Sequence, residues 1–311
     1  NIREKAQFLS LLSQERDLTH EVPVDAEVAD QLTDAYQRFY DHAAEKNTDR
    51  YTALKNKSGL LAYYLDQPDT ALSILEDLVT LPGLRRTFIA QVKMDLGNVH
   101  LIVGNHWEAS LLYSQVEKEN AYAAIGYEAK LKNARLHYFM SNFDLAKAHL
   151  DILKRSTTKE IANDALELSL FIETNTLGDS NQLGLTDYAR VSLLMYQNRF
   201  EEAHDKLEIL INTQLGHPIL DDCFWLLAKL EMRLGRYIEA LDPINILISE
   251  YSEGVLGDDA LFMKAQILEE HLDNALEAQK VYQQFLGEFP GSAYAVEARR
   301  RFRLLRGDSI N

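Results

Sequence analysis

Six short segments of this chain follow one pattern and recur at a nearly fixed distance. They read Asp66-Gln-Pro-Asp-Thr-Ala71, Gly104-Asn-His-Trp-Glu-Ala109, Ser141-Asn-Phe-Asp-Leu-Ala146, Asn198-Arg-Phe-Glu-Glu-Ala203, Gly235-Arg-Tyr-Ile-Glu-Ala240 and Leu272-Asp-Asn-Ala-Leu-Glu-Ala278, the last one residue longer. Between the closing alanines the spacings are 38, 37, 57, 37 and 38 residues. A period of roughly 20–50 residues marks one supersecondary unit repeated in a row, and such a unit gains a core only by stacking on its neighbours. The one long spacing exceeds its neighbours by 20 residues, room for one further helix and a loop.

The residues around each segment say what the unit is. Gly97, Ala134, Ala228 and Ala265 stand midway along the stretch before a segment, where a small side chain lets a second helix approach closely. The closing alanines do the reciprocal job, and Phe143, Phe200 and Tyr237 can wedge the turn between the two helices. After each alanine, apolar residues recur at helical spacing: Leu75 and Leu78, Tyr113 and Val116, Leu150 and Leu153, Leu207 and Leu210, Ile244 and Leu247, Tyr282 and Phe285. That gives one buried stripe per second helix. Pro290-Gly291 ends the last pair, and Asp221-Asp222 and Asp258-Asp259 are expected to cap first helices. Two positions depart from the pattern: Pro68 replaces the wedge, and Val191 replaces a small residue.

With these residues in order, the chain resembles tetratricopeptide repeat proteins over roughly residues 50–306, whose unit is about 34 residues long. The fit is best over Asp221–Ser292, through Leu227-Ala228, Leu234-Gly235, Tyr237, Ala240 and Phe289-Pro290-Gly291-Ser292, and next best at Asp95-Leu96-Gly97 with Gly104–Ala109. The stretch from Trp107 through Ile161–Leu166 to Arg299–Gly307 is similar to exported tetratricopeptide proteins of Bacteroidetes-type bacteria. The spacing and the terminal Phe-Pro-Gly-Ser are similar to those of tetratricopeptide proteins of outer-membrane assembly and of the Tol–Pal system. The resemblance implies an all-α fold, a right-handed superhelical solenoid of antiparallel helix pairs with one extra helix interrupting the array. It also implies a periplasmic or outer-membrane-associated location, with the cytoplasm as the alternative. A chain beginning at Asn1 rather than Met reads as a processed form or a fragment, whose missing start could have carried an export signal.

The expected organisation has five parts. Residues 1–49 hold two helices of a degenerate or truncated repeat, residues 50–160 three helix pairs, and residues 161–183 an extra helix and loop. Residues 184–292 hold three further pairs, and residues 293–311 a capping helix and tail.

Composition narrows the function. With 14 Gly and 6 Pro in 311 residues the chain has little turn punctuation, which suits helices joined by short loops. A net charge of −16, from 32 basic and 48 acidic residues, argues against binding nucleic acid or docking on an anionic membrane surface. The apolar stretch Gly59–Leu65 is far short of the ~20 residues of a membrane span, so no direct membrane insertion is expected of it. A lone cysteine, Cys223, excludes an internal disulfide framework.

No phosphate loop, nucleophile elbow or zinc-protease motif is present, so neither an enzyme nor a cofactor or metal site is expected. Glu201 and His204 have the Glu-x-x-His spacing of carboxylate di-metal bundles, but those need a second copy that this chain lacks. Cys223 sits at a helix start, where a thiol can become reactive, but its acidic neighbours oppose that and a small buried hydrophobe is the expected role. Arg299, Arg300, Arg301, Arg303 and Arg306 cluster on the last helix and suit a solvated cap, with docking on an acidic partner as the functional alternative.

In this fold the first helices line the concave face. Registering each pair puts Tyr63, Tyr64, Asn98, Arg135, Tyr138, Tyr188, Trp225 and Arg233 there, with Tyr196 close by. Aromatic residues and Arg dominate binding energy where they become buried. The expectation is therefore a non-catalytic scaffold that binds a peptide or partner protein in its concave groove. The alternatives are a structural subunit of a larger envelope assembly and, more weakly, a carbohydrate-binding or enzymatic helical protein.

Overall fold

A computed structural model describes residues 2–20, 23–155, 158–176 and 182–308. Among these residues the α-helices are α1 (Ile2–His20), α2 (Ala26–His42), α3 (Asp49–Tyr64), α4 (Pro68–Thr80), α5 (Arg86–Ile102), α6 (His106–Glu119), α7 (Ala124–Phe139) and α8 (Phe143–Leu153). There follow α9 (Lys159–Thr176), α10 (Leu183–Tyr196), α11 (Phe200–Thr213), α12 (Leu220–Arg233), α13 (Leu241–Glu250), α14 (Gly257–Gln266), α15 (Ala275–Glu288) and α16 (Ala295–Leu305), with a π-helical turn at Ile267–His271. Apart from α10, each helix packs chiefly on its sequence neighbours, as in an array of tetratricopeptide-type helix pairs. The chain divides into two compact units, Asn1–Arg199 and Phe200–Asn311, so the division falls at the turn between α10 and α11.

The repeated segments are the turns within pairs, and one backbone feature defines them. Asp66, Gly104, Ser141, Asn198, Gly235 and Asp273 all have positive φ, between 48° and 86°. A left-handed residue just past a helix end lets the next amide reach back to an unpaired carbonyl of the last turn. Asn105, Asn142, Arg199 and Arg236 donate their backbone N–H to the carbonyls of His100, His137, Leu194 and Glu231, five residues back, at 2.8–2.9 Å. Gly adopts this conformation freely, whereas other residues pay a steric cost that short polar side chains tolerate best.

The small residues and the stripes behave as their spacing predicts. All six closing alanines are fully buried, as are Leu75, Leu78, Leu150, Leu153, Leu207, Ile244, Tyr282 and Phe285. Each large side chain so buried contributes about 1.5–3 kcal/mol. Gly97 marks a close approach of paired helices: a Cβ there would lie 2.6 Å from Cε1 of Tyr113, whose ring crosses α5. The acidic pairs are placed differently from the expectation. The helices start at Leu220 and Gly257, so Asp221-Asp222 and Asp258-Asp259 lie in first turns rather than at the N-cap, and the Asp221 and Asp258 carboxylates accept the backbone N–H of the next residue at 2.8 and 3.0 Å. Their charges still suit the positive end of the helix dipole.

The sixth segment is not a longer turn. From Gly97 to Ala109, Ala134 to Ala146 and Ala228 to Ala240 the distance is 12 residues, but from Ala265 to Ala278 it is 13. The additional residue is absorbed in the helix, by the π turn at Ile267–His271, where Leu272 donates to the Ile267 carbonyl five residues back. The turn itself keeps the common length, starting at the left-handed Asp273.

The long spacing is filled by α9, close to the helix expected over 161–176. The loop expected after it lies largely outside the described residues. In unit 1, α9 packs on α8 and also touches α7, while α10 packs on α7 and α9. The two N-terminal helices form a cluster with α3 through Phe8, Leu11, Leu32, Tyr36, Phe39 and Leu60. The Tyr36 hydroxyl donates to Glu15, which also accepts from Asn56 at 2.8 Å.

Candidate functional site

In unit 1 the first helices α3, α5, α7 and α9 present one common face, and helix α10 lies on it. The contacts of α10 run backwards through the stack. The Tyr188 ring packs on Phe171 of α9, with centroids 5.2 Å apart. Eight residues later, about 12 Å along a helix, Tyr196 packs on Phe139 of α7 at 5.8 Å. Leu193 and Tyr196 also rest on the cluster of Met94, Leu101, Tyr113 and Leu136. Past the end of α10, the Gln197 amide donates to the Leu101 carbonyl of α5 at 3.0 Å, and the Asn198 amide to the Tyr63 carbonyl of α3 at 2.9 Å.

Beneath α10 is a phenol cluster. Tyr196 shares side-chain hydrogen bonds with Tyr63 and Tyr113. The Tyr113 hydroxyl also donates to Asn98 Oδ1 at 2.9 Å. Burial pushes the pKa values of all three phenols upward, so they stay neutral donors and acceptors. Lys132 lies nearby, and burial pulls its pKa down despite the opposing fields of Glu128 and Asp95. Two ion pairs bridge successive first helices: Lys55 to Asp95 at 3.0 Å and Arg135 to Asp164 at 2.9 Å. A recess of about 200 Å³ remains beside the cluster, lined among others by Glu15, Lys55, Asn56, Tyr63 and Asp95. It has room for a few side-chain atoms and not for a helix.

The eight residues expected on the concave face are thus placed very differently from one another. Asn98 and Tyr138 are buried, at 8% and 5% exposure, and serve internal contacts. Tyr138 packs on Phe143 and Phe171, while Tyr63 and Tyr188 are half-buried in contacts with α10 or within it. Tyr64 is half-buried against the N-terminal cluster. Arg135 is exposed at the edge of the face, bonded to Asp164. In unit 2, Trp225 is half-buried with Lys229 Nζ 4.8 Å above its ring, and Arg233 is exposed two turns further along α12. Gln197 and Asn198, whose amides tie α10 to this face, are positions that sequence reasoning missed. Their only signal was a pair of amides at a repeat turn.

The remaining candidates resolve into internal chemistry. His204 Nε2 lies 2.7 Å from Glu231, and Arg236 binds Glu201 at 2.6 Å, so the Glu-x-x-His pair belongs to an ionic network between α11 and α12. Among the described residues no group of three or more His, Cys, Asp or Glu could hold a metal ion. Cys223 is buried, and desolvation followed by Asp222 and Asp221 pushes its thiol pKa up. On α16, Arg301 bridges Glu269, Glu270 and Glu297, Arg300 binds Glu297, and Arg303 and Arg306 bind Asp308. Most of that basic cluster is therefore neutralised within unit 2. No helix among the described residues is long and apolar enough to cross a membrane.

A tetratricopeptide repeat profile matches residues 259–292, which are α14, the π turn, α15 and the closing Pro-Gly-Ser. No curated protein matches the chain. Solved structures similar to it include a tetratricopeptide repeat protein from Parabacteroides merdae, 13% identical, covering 97% of this chain and 99% of that one at a TM-score of 0.38. The C-terminal part of a repeat protein from Cytophaga hutchinsonii is 14% identical, covering 88% and 99% at 0.33. A Rap protein complexed with competence and sporulation factor is 16% identical, covering 98% and 83% at 0.37. Identities and scores of this size carry no argument about function. The chain therefore carries a tetratricopeptide repeat at residues 259–292, and builds its earlier helix pairs on the same left-handed turn.

Proposed function

We propose that the chain is a non-catalytic protein-binding scaffold that takes a helical segment of its partner on a first-helix face. The observation that supports this is α10: the unit 1 face holds a helix by tilted ring packing at Phe139 and Phe171 and by carbonyls offered at helix ends. Such a face fits an amphipathic helix with aromatic residues two turns apart. Exposed Arg135 and Arg233 are the residues of this set most open to a partner, one in each unit. Affinity capture with the wild-type chain and with an Arg135→Glu/Arg233→Glu variant tests the reading. Partners held by the wild type and lost by a variant of unchanged circular dichroism are the expected result. Equal capture by both proteins would remove these residues from the binding surface.

The sequence resemblance supports a further proposal, that the protein works in the periplasm or at the outer membrane of a bacterium, as part of an envelope complex. Fractionation of the natural host tests it, and recovery in the cytosol alone would overturn it.

A further inference from the structure

We propose that α10 is a resident ligand of the unit 1 groove, and that a partner helix of similar pattern binds there by replacing it. The inference rests on the scaffold reading above and names the chemistry of the partner: an amphipathic helix with aromatic residues two turns apart and a side-chain amide just past the second.

Four observations carry it. First, the contacts that hold α10 are of kinds a separate helix could reproduce. They include two ring packings, Tyr188 on Phe171 and Tyr196 on Phe139, the apolar seat of Leu193, a shared phenol network, and two amides on the carbonyls of Leu101 and Tyr63. Those carbonyls lie in the last turns of α5 and α3; that of Leu101 also accepts the Gly104 backbone N–H at 3.2 Å, so the amide there uses its second lone pair. Second, the stack α3 to α9 is continuous without α10, because each of these helices packs on its own neighbours in sequence. Third, α10 is weakly ended. Its N-cap, Gln182, is left-handed at φ 52° and makes no side-chain cap bond. Within the helix its first turn has no acidic residue and its last turn no basic one, so its own end turns carry no charge that complements the dipole. Fourth, the division between compact units follows at once, after Arg199. Release of α10 would uncover Tyr63, Phe139 and Phe171 together, residues of the type that anchors protein interfaces.

The test uses the full chain and one probe, a fluorescent synthetic peptide of residues 183–198. Apparent affinity falls in proportion to the fraction of molecules whose groove is open. A Tyr188→Ala/Gln197→Ala chain, with α10 loosened and α1–α9 untouched, is expected to bind the peptide at least about tenfold more tightly than the wild type. The same peptide with Tyr188 and Tyr196 replaced by Ala is expected not to bind. Hydrogen exchange on the wild type gives a second readout that needs no variant. If the inference holds, the amides of α10 open at least about tenfold more often than those of α5 and α7. Exchange of α10 as slow as that of α5 and α7, or equal binding of the peptide to both chains, would overturn it. A fixed α10 in a protein that still captures partners through Arg135 and Arg233 would sink the displacement mechanism and leave the scaffold reading intact.

Discussion

Gly59 and Gly97 stand at the same register position, 12 residues before Ala71 and Ala109, yet the same substitution should act on them with opposite sign. At Gly97 a Cβ would meet Tyr113 at 2.6 Å from Cε1 and 3.1 Å from both Cδ1 and Cζ. Carbon atoms pack at roughly 3.5–4.0 Å, so the ring has to move by about 1 Å. It has little freedom to do so: Tyr113 is 1% exposed, and its hydroxyl is bonded to Asn98 at 2.9 Å. Overpacking costs about 1–3 kcal/mol, and an impaired buried hydrogen bond adds about 1–3 kcal/mol. Replacing Gly by Ala in a helix returns about 1 kcal/mol, so Gly97→Ala should destabilise by roughly 1–5 kcal/mol net. At Gly59 a Cβ meets nothing within 4 Å, because the corresponding residue of its pair is Leu75 and not a tyrosine. There only the helix gain remains, and Gly59→Ala should stabilise by about 0.5–1 kcal/mol. Thermal unfolding followed by circular dichroism reads both, at roughly 2–4 °C per kcal/mol for a unit of this size. A Tm that moves in the same direction for both variants would refute the close-approach argument. So would strict additivity of Gly97→Ala with Tyr113→Leu, two residues in contact.

The turn residues offer a backbone-only test: a Cβ at Gly104, φ 86°, has open space around it. Gly104→Ala should therefore cost only the left-handed penalty of about 1–2 kcal/mol, while Ser141→Gly, at φ 59°, should be neutral or stabilising in the same melts. Hydrogen bonds from Arg300 and Arg301 bring the Glu297 pKa down to about 2. The stability it contributes is fully present above its ordinary pKa and is lost as pH falls from there through about 2, so wild type and Glu297→Gln should differ at pH 6 and converge in acid. A difference that does not change with pH would contradict that link. Cys223 should react with a thiol reagent only as fast as the protein opens, because burial raises its pKa, and rapid labelling of the native protein at neutral pH would place the thiol at the surface.

The turns, the close-approach glycine and the inserted helix were legible because each is written in local residues. A left-handed position selects Gly, Asn, Asp or Ser, a tight crossing selects Gly or Ala, and an added helix lengthens the spacing. The sixth segment was legible as one residue too long, but not where the residue would go. A π turn in α14 and a longer loop are equivalent in sequence and differ only in which hydrogen bonds shift. The residues expected on the concave face differ from one another in what surrounds them. Helical periodicity says that Tyr63, Asn98 and Tyr138 share a face, and it is silent on what covers that face. Over Tyr63 the cover is α10, and the bond from Asn198 to the Tyr63 carbonyl spans 135 residues, a distance no periodicity encodes. The Arg-rich cap shows the same limit, since Glu269 and Glu270, which neutralise Arg301, lie about thirty residues earlier on another helix.

Asn198 is where the repeat and the occupied groove meet. As a turn residue it does what Gly104 and Gly235 do, and its backbone amide, like theirs, bonds three residues back in the preceding helix. Glycine would serve that backbone better, by the same argument that favours Gly104. The amide side chain has a second task that glycine cannot perform, capping α3 through the Tyr63 carbonyl. The insertion of α9 gives that side chain its chance. In the earlier pairs each turn is followed by a second helix that packs on its own first helix and on the next one. With α9 already packed on α8 beside α7, the next first helix, α10, is set on the face of the stack and its end meets α3 and α5. The residue that makes the turn is thereby brought to a carbonyl that the regular array leaves open, so one insertion of about 20 residues both breaks the period and fills the groove.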